Sequence, residues 1–307
     1  MDTQHHLPPK LLILNDMSGV GRCSMSVSLP VVSACKVQAI PVPTLLFSNH
    51  TGFATHYKKD LTDCLPNYLS HMDKLTIPWD GIYCGYLGSL TQMQVITSYY
   101  NSLNYHPLFI IDPVMGDHGH AYQHITPEFC AAMRGFLSSA DIITPNLTEA
   151  CLLAGVDYPG GDIVSARGDS SSGRDNSNPT TCDSGLNTGG YCDNAFCNML
   201  IEKLTQLGPK QIVITGIEQG EYYANYIYDR GSLHTIKSQK TGPGYPGTGD
   251  MFASIVAAYM LRGFTLTECV TFAVHFIAHC IAYSQDLGAV IPQGVIFEPL
   301  LGELICH

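Results

Sequence analysis

Positively charged side chains are scarce in this sequence. Fifteen Lys and Arg residues stand against 26 Asp and Glu residues, which gives a formal net charge of −11 at pH 7. Because a nucleic-acid backbone or an anionic membrane is held by a basic field, this balance argues against both as partners. Charged residues make up only 13% of the chain and hydrophobic residues 45%, a composition typical of a compact folded protein.

Long hydrophobic runs and closely spaced cysteine pairs are also missing. No stretch of 18 or more uncharged apolar residues occurs, and the first ten residues contain no apolar segment of the signal-peptide kind. We therefore predict a cytoplasmic protein.

Twelve cysteines are present without a Cys-x-x-Cys motif, and the closest pair, Cys192 and Cys197, has no further Cys or His at metal-ligand spacing. We predict reduced, structural thiols.

Short apolar β-rich segments alternate with longer helical patterns along most of the chain. The run at 108–112, for example, lies between helical patterns at 91–103 and 126–139. This alternation predicts an α/β protein whose mainly parallel sheet is covered by helices on both faces. Residues 159–190 are rich in Gly, Ser, Asp, Asn and Thr, which predicts a disordered insertion. We expect a flexible tail over 1–10 and one domain over 11–307.

A glycine-rich segment, residues 241–250, runs directly into an apolar helix. The unpaired N–H groups and the positive dipole end at such a helix start favour an anion such as phosphate. The dinucleotide-binding motif G-x-G-x-x-G is a weak match, because no strand that ends in an acidic residue follows about 20 residues later. The Walker A motif does not fit, because Thr248 stands where that motif has Lys. Asp250 has two interpretations: it accepts the proton of an attacking hydroxyl, or it only favours the helix's first turn.

Polar residues follow several predicted strands, and the carboxyl ends of parallel strands meet at one edge of a sheet. Each group also has an ordinary structural interpretation: Ser18 as a helix cap, the loop at 47–52 as a plain loop, and Asn146 with Glu149 as a capping box. Carboxylates at these positions can instead support Mg²⁺. The polar residues concerned, listed with the aromatic Phe47 that opens the loop at 47–52, are Asn15, Asp16, Ser18, Phe47, Thr51, Asp112, Asp117, Thr144, Asn146 and Glu149.

Two histidines, His275 and His279, lie four residues apart on a predicted helix. Phe276 stands where the zinc motif His-Glu-x-x-His requires Glu, so we predict that both histidines pack in the core.

In this order, the segments resemble the ribokinase-like superfamily and, more narrowly, the pyridoxal kinase family. The resemblance covers about 11–263 without the insertion. Gly247-Thr248-Gly249-Asp250 is similar to the superfamily's Gly-x-Gly-Asp signature, and Ser48-Asn49-His50-Thr51-Gly52 to a loop of vitamin B6 kinases. The resemblance implies a three-layer α/β/α sandwich with a central, mainly parallel sheet.

The resemblance also implies roles for individual residues. Asp250 is implied as the catalytic base and as a substrate contact. The residues implied around the pyridine ring are Ser18, Phe47, Thr51, Tyr86 and Tyr122. Those implied at ATP are Asp117, Asn146, Glu149, Thr215, Gly247, Thr248 and Gly249. Those implied at the metal are Asp112, Asp117, Thr144 and Glu149.

The implied activity is ATP- and Mg²⁺-dependent phosphorylation of the 5′-hydroxymethyl group of pyridoxal, pyridoxine or pyridoxamine. A monovalent cation, K⁺ or Na⁺, and a homodimer are implied as well. Two alternatives stay open: a hydroxymethylpyrimidine kinase of thiamine synthesis, which shares fold and chemistry, and a catalytically silent B6-binding protein.

Overall fold

A computed structural model describes residues 7–159 and 192–306. The strands are β1 (Lys10–Val20), β2 (Gln38–Asn49), β3 (Lys58–Asp60), β4 (Gly81–Cys84), β5 (Leu108–Ile111), β6 (Gly116–Asp117), β7 (His120–Ala121), β8 (Ile142–Ile143), β9 (Gln211–Gln219), β10 (Tyr222–Asp229) and β11 (Ser232–Gln239). The α-helices are α1 (Met25–Ala34), α2 (Leu65–Asp73), α3 (Leu90–Ser102), α4 (Pro127–Leu137), α5 (Leu147–Ala154), α6 (Asn194–Thr205), α7 (Thr248–Leu261), α8 (Leu266–Asp286) and α9 (Gly302–Ile305). Most of the predicted tail, 1–6, and of the predicted insertion, 160–190, lies outside the described residues.

Nine strands form one sheet in the order β11-β10-β9-β8-β5-β4-β1-β2-β3. The six strands from β9 to β2 in this order run parallel to their neighbours, while β10, β11 and β3 join antiparallel at the two edges. β6 and β7 form a separate hairpin. The predicted mainly parallel sheet is confirmed.

Helices pack on both faces of this sheet because its side chains alternate in direction along each strand. On β1, Leu12 and Leu14 join the core beneath α2 to α6, and Leu11 and Ile13 join the core beneath α1, α7 and α8. All four side chains are fully buried. The predicted α/β/α layering is confirmed.

β1 and β2 are longer than their sequence pattern predicts. The pattern indicated strands at 11–15 and 37–42, but the two pair in parallel as far as Val20 and Asn49, with an irregularity between Asn15 and Met17. A Cβ atom at Gly19 would lie 2.7 Å from the Ser48 carbonyl oxygen, so glycine permits close strand contact here, and no turn forms. The interpretation of Ser18 as a helix cap is wrong, since α1 begins after Ser24.

The two histidines of α8 face outward. Both are exposed, and His279 Nδ1 lies 2.9 Å from the Glu303 carboxylate. The prediction that they pack in the core is wrong, because the apolar stripe of α8 is formed by neighbouring positions such as Cys269, Ala273 and Cys280.

Among the described helices, α8 is also the one long and apolar enough to cross a membrane, a test that core helices of soluble proteins pass too.

Candidate active site

Gly247 places the start of α7 against the segment that follows β1. It lies immediately before the helix with a left-handed φ of +84°, and a Cβ atom here would overlap the carbonyl oxygen of Arg22. Only glycine meets both demands without strain. The first turn of α7, which contains Asp250, therefore lies beside the carboxyl end of β1.

Asp250 is held by hydrogen bonds on both carboxylate oxygens. Asn15 Nδ2 donates to Oδ1 at 3.0 Å, and the Ser24 backbone N–H donates to Oδ2 at 2.7 Å. Burial raises the pKa of Asp250, while these two donors oppose the increase. The carboxylate is thus a half-buried, oriented acceptor at the start of an apolar helix.

Asn15 connects this carboxylate to the segment after β4. Its Oδ1 accepts the backbone N–H of Asp16 at 2.9 Å and that of Tyr86 at 2.8 Å. Its side chain is fully buried. The sequence indicated Asn15 only as one polar residue at a strand end, because nothing local shows that its partners lie 71 and 235 residues away.

An aromatic group lies beside the Asn15–Asp250 pair, since the backbone of Tyr86 binds Asn15. Phe47 on β2 and Tyr86 after β4 have ring centroids 6.3 Å apart. His56 and His124 extend the group, with ring centroids 5.5 Å from Phe47 and 5.3 Å from Tyr86 respectively. Lys58 Nζ lies 5.9 Å from the Phe47 ring centroid. No motif in the sequence indicated His56, Lys58 or His124.

Ser18 lies beside Phe47 in the paired strands β1 and β2. Its hydroxyl donates to Asp16 Oδ2 at 2.9 Å, and both residues are buried. Burial, together with the charge of Asp250, raises the pKa of Asp16 to about 6. The structure therefore brings Ser18, Phe47 and Tyr86 to one side of Asp250, with Asp16 as an acidic group at the same place.

Thr51 and Tyr122 lie nearer the surface. Thr51 is exposed in the turn after β2. Tyr122 follows β7 and is 41% exposed, but burial of its phenol and the charges of Glu149 and Asp117 raise its pKa. Tyr122 therefore lies partly exposed near these carboxylates.

Asp112 faces the start of α7 from the end of β5. It is buried and accepts a hydrogen bond of 3.2 Å from the Thr144 hydroxyl. A Cβ atom at Gly249 would lie 4.0 Å from Asp112 Oδ2. Burial and the charge of Asp250 raise the pKa of Asp112 to about 8. Its negative charge is therefore poorly compensated in the protein alone.

Glu149 and Asn146 form the capping box of α5. The Asn146 side chain accepts the Glu149 N–H at 3.0 Å, and Glu149 Oε2 accepts the Asn146 N–H at 2.8 Å. Glu149 Oε1 also accepts the Met115 N–H at 3.1 Å. Burial and the charge of Asp112 raise the pKa of Glu149. The capping-box interpretation is confirmed, and both carboxylate oxygens bind backbone groups.

The remaining side chains indicated for the nucleotide lie in three places. Thr215 on β9 forms a bridge with Asn146, and its N–H donates to the Pro145 carbonyl oxygen at 2.9 Å. Thr248 begins α7, and its hydroxyl donates to the Tyr245 carbonyl oxygen at 3.1 Å. Asp117 is exposed on β6 and accepts the His118 N–H at 2.8 Å.

The donor set fits Mg²⁺ bound largely by water and phosphate. Within 7–159 and 192–306, no three His, Cys, Asp or Glu side chains stand close enough to hold a metal by themselves. Mg²⁺ needs only one or two protein carboxylates and keeps several water ligands. Asp112 supplies such a carboxylate, buried and without full charge compensation.

Comparison with known proteins identifies the family. The phosphomethylpyrimidine kinase family matches residues 29–168 and 192–293, well over half of the chain. A pyridoxal kinase from Lactobacillus plantarum has a similar structure, with a TM-score of 0.80, 27% identity and 97% of each chain covered. A candidate phosphomethylpyrimidine kinase from Bacteroides thetaiotaomicron, solved with pyridoxal, has a TM-score of 0.80 and 28% identity over 97% of this chain and 96% of its own.

A curated relative agrees with these structures. The pyridoxine/pyridoxal/pyridoxamine kinase of Bordetella avium is 24% identical over 276 residues, which cover 86% of this chain and 82% of the relative. The three-layer sandwich is the ribokinase-like fold of these kinases. The matched residues include the strands and helices that carry Asp112, Asn146 and Asp250, and the chain belongs to the phosphomethylpyrimidine kinase family.

Proposed function

We propose that this protein transfers the terminal phosphoryl group of ATP to the 5′-hydroxymethyl group of pyridoxal, pyridoxine or pyridoxamine. The observation that carries this proposal is the half-buried, doubly hydrogen-bonded Asp250 at the glycine-rich start of α7. Phosphoryl transfer requires a site for the migrating anion, compensation of its charge, and a group that receives the hydroxyl proton. We infer that Asp250 is the group that receives this proton.

In the proposed reaction, the first amides of α7, at Thr248 and Gly249, would bind the migrating phosphoryl group at the helix start. Asp250 accepts the proton as the substrate oxygen attacks phosphorus. Asn146, Glu149, Thr215 and Gly247 would contact or shape the ATP site, as the family resemblance implies. Mg²⁺, when bound, offsets the charge of the phosphate oxygens, and Asp112, Asp117 and Thr144 would hold it, with Glu149 acting through water.

The aromatic group supports a flat heteroaromatic alcohol as substrate. Phe47 and Tyr86 offer ring faces, and the adjacent Ser18 and Asp16 offer polar groups. Thr51 and Tyr122 would complete the ring site from the surface. A relative solved with pyridoxal and a related pyridoxal kinase favour a B6 vitamer. We also propose activation by K⁺ or Na⁺, on the family resemblance alone.

Coupled measurement of ATP consumption with pyridoxal tests the proposal. The wild type should turn over, and Asp250→Asn should lose kcat by about 10²–10⁴-fold, the usual contribution of a general base. Binding of a non-hydrolysable ATP analogue should be retained. Asp286→Asn, the same change at an exposed position, is the control. Wild-type kcat in Asp250→Asn would exclude the mechanism.

Hydroxymethylpyrimidine is the second candidate substrate, because the matching family is named for phosphomethylpyrimidine kinases. Side-by-side kcat/KM values on pyridoxal and hydroxymethylpyrimidine separate the two functions, and we expect pyridoxal to be preferred. Calorimetric binding of pyridoxal without phosphate transfer would instead establish the silent B6-binding protein.

A further inference from the structure

One buried amide contacts both the base and the wall of the aromatic site. Asn15 donates to Asp250 and accepts from the backbone of Tyr86. Resting on the proposed function, we propose that Asn15 is a positioning residue that holds the Asp250 carboxylate in the orientation that receives the substrate's proton. Through Tyr86, the same amide sets the ring wall relative to that carboxylate.

The hydrogen bonds fix which end of the amide faces Asp250. Asn15 Oδ1 accepts two backbone N–H groups, at 2.9 Å from Asp16 and 2.8 Å from Tyr86. An amide oxygen has two lone pairs, so both are in use. The NH₂ group must therefore point to Asp250, whose Oδ1 lies 3.0 Å away. A reversed amide would place two donors against N–H groups and an acceptor against the carboxylate.

Packing holds the amide in this place. Asn15 is fully buried, and a Cβ atom at Gly85 would lie 2.6 Å from its Nδ2. Glycine before Tyr86 thus lets the backbone lie directly on the amide. On the other side of the carboxylate, the Ser24 N–H binds Oδ2. Two donors from two segments define the carboxylate plane, and Asn15 is the one supplied by a side chain.

Holding a catalytic base within about 0.5 Å of its productive position contributes to the reaction rate, and this contribution is separate from the stability of the folded protein. A purely structural amide would lower stability and activity whatever stands at position 250. A positioning amide would act on kcat only through Asp250, whatever it does to KM through Tyr86, so its removal would have no further effect on kcat once Asp250 is gone. This difference makes the inference testable.

Asn15→Asp keeps oxygens for the N–H groups of Asp16 and Tyr86 but replaces the amide donor, 3.0 Å from Asp250, by a carboxyl group, so that the two carboxyl groups share one proton. We expect kcat to fall about 10–100-fold and its dependence on pH to change, because Asp250 then no longer receives the substrate's proton alone. KM for pyridoxal and for ATP should stay at the wild-type values. Asn15→Ala removes all three bonds and should lower kcat and also raise KM for pyridoxal. Asn67→Asp, on the exposed face of α2, is the matched control and should leave both constants unchanged.

The deciding measurement is a double-mutant cycle on kcat with Asn15→Ala and Asp250→Ala. Asn15→Ala should have no further effect in the Asp250→Ala background; an undiminished, multiplicative loss would overturn the inference. A wild-type kcat with an unchanged dependence on pH in Asn15→Asp would overturn it as well. If that variant does not fold, wild-type kcat in folded Asn15→Ala overturns it equally. Wild-type kcat in Asp250→Ala would instead refute the proposed function, so the two failures are distinguishable.

Discussion

Four carboxylates, three of them buried and Asp250 half-buried, lie together at the carboxyl edge of the sheet. Their pKa values are raised, in each case mainly by burial, and the residues are Asp16, Asp112, Glu149 and Asp250. A neighbouring carboxylate adds to the increase for the first three. Concentrated negative charge of this kind costs folding free energy, and its presence is typical of a site that meets cations or protons during function.

The stability of the free protein should therefore fall as pH rises. Burial raises the pKa of Asp112 from 3.8 to about 8. The folded state binds this proton more tightly than the unfolded chain, so its stabilisation is complete below about pH 4 and is lost as pH rises through about 8. We expect the free energy of unfolding to fall by about 1–3 kcal/mol between pH 5.5 and 8.5 on this account, measured by urea denaturation.

Asp112→Asn should flatten that pH dependence, since the amide does not titrate. Asp117→Asn is the matched control, because this carboxylate is exposed a few residues away. An equal decrease in wild type and Asp112→Asn would contradict the assignment.

At the scale of elements, the start of α7 contacts the segment after β1 that contains Arg22, and this contact depends on Gly247. Gly247→Ala should separate the two, because the backbone is left-handed and the new methyl group would overlap the Arg22 carbonyl oxygen. We expect a loss of about 1–3 kcal/mol in stability, measured by denaturation, together with a lower kcat.

Gly244→Ala is the control within the same loop. A Cβ atom there meets nothing within 4 Å, and the backbone has no positive φ. Its stability and kcat should match the wild type. Equal losses in the two variants would show that the loop tolerates alanine at neither position. They would contradict the prediction that Gly247→Ala acts through its overlap with the Arg22 carbonyl oxygen.

Local patterns predicted most elements but not how far paired strands extend. Helices α3, α4, α7 and α8 and the hairpin of β10 and β11 lie within a few residues of their predicted positions, because each depends on its own periodicity and turn residues. β1 and β2 exceed their predictions because each supplies the other's hydrogen bonds beyond Asn15, where Gly19 and Gly21 look like turn residues. Pairing of distant segments leaves no local signal.

The candidate site shows the same division. The glycine-rich turn before Asp250 and the Asn146–Glu149 capping box are local patterns, and the sequence contains them in full. Asn15 and Asp250 were each noticeable as polar residues at element ends. Their contact depends on the neighbouring positions of β1 and α7, which only the folded sheet creates. His56, Lys58 and His124 enter through the pairing of β2 with β3 and through the segment after β7.

At the scale of the whole molecule, we propose a homodimer, as the family resemblance implies. The mass of one chain is 33.4 kDa, and sedimentation equilibrium should give about twice that value over a wide range of concentrations. A single-chain mass at every concentration would contradict the expectation. The eleven cysteines in the described ranges are free thiols, which suits a reducing compartment.

The position of Phe47 on β2 has a consequence for enzyme redesign. Phe47 contacts Lys58 of the exposed edge strand β3, whereas Asp250 is anchored from the interior strand β1. If the proposed function holds, bulkier or smaller side chains in place of Phe47 should admit other aromatic alcohols, while the hydrogen bonds that hold Asp250 stay unchanged. A library confined to β2 and β3 would explore new substrates at little risk to turnover.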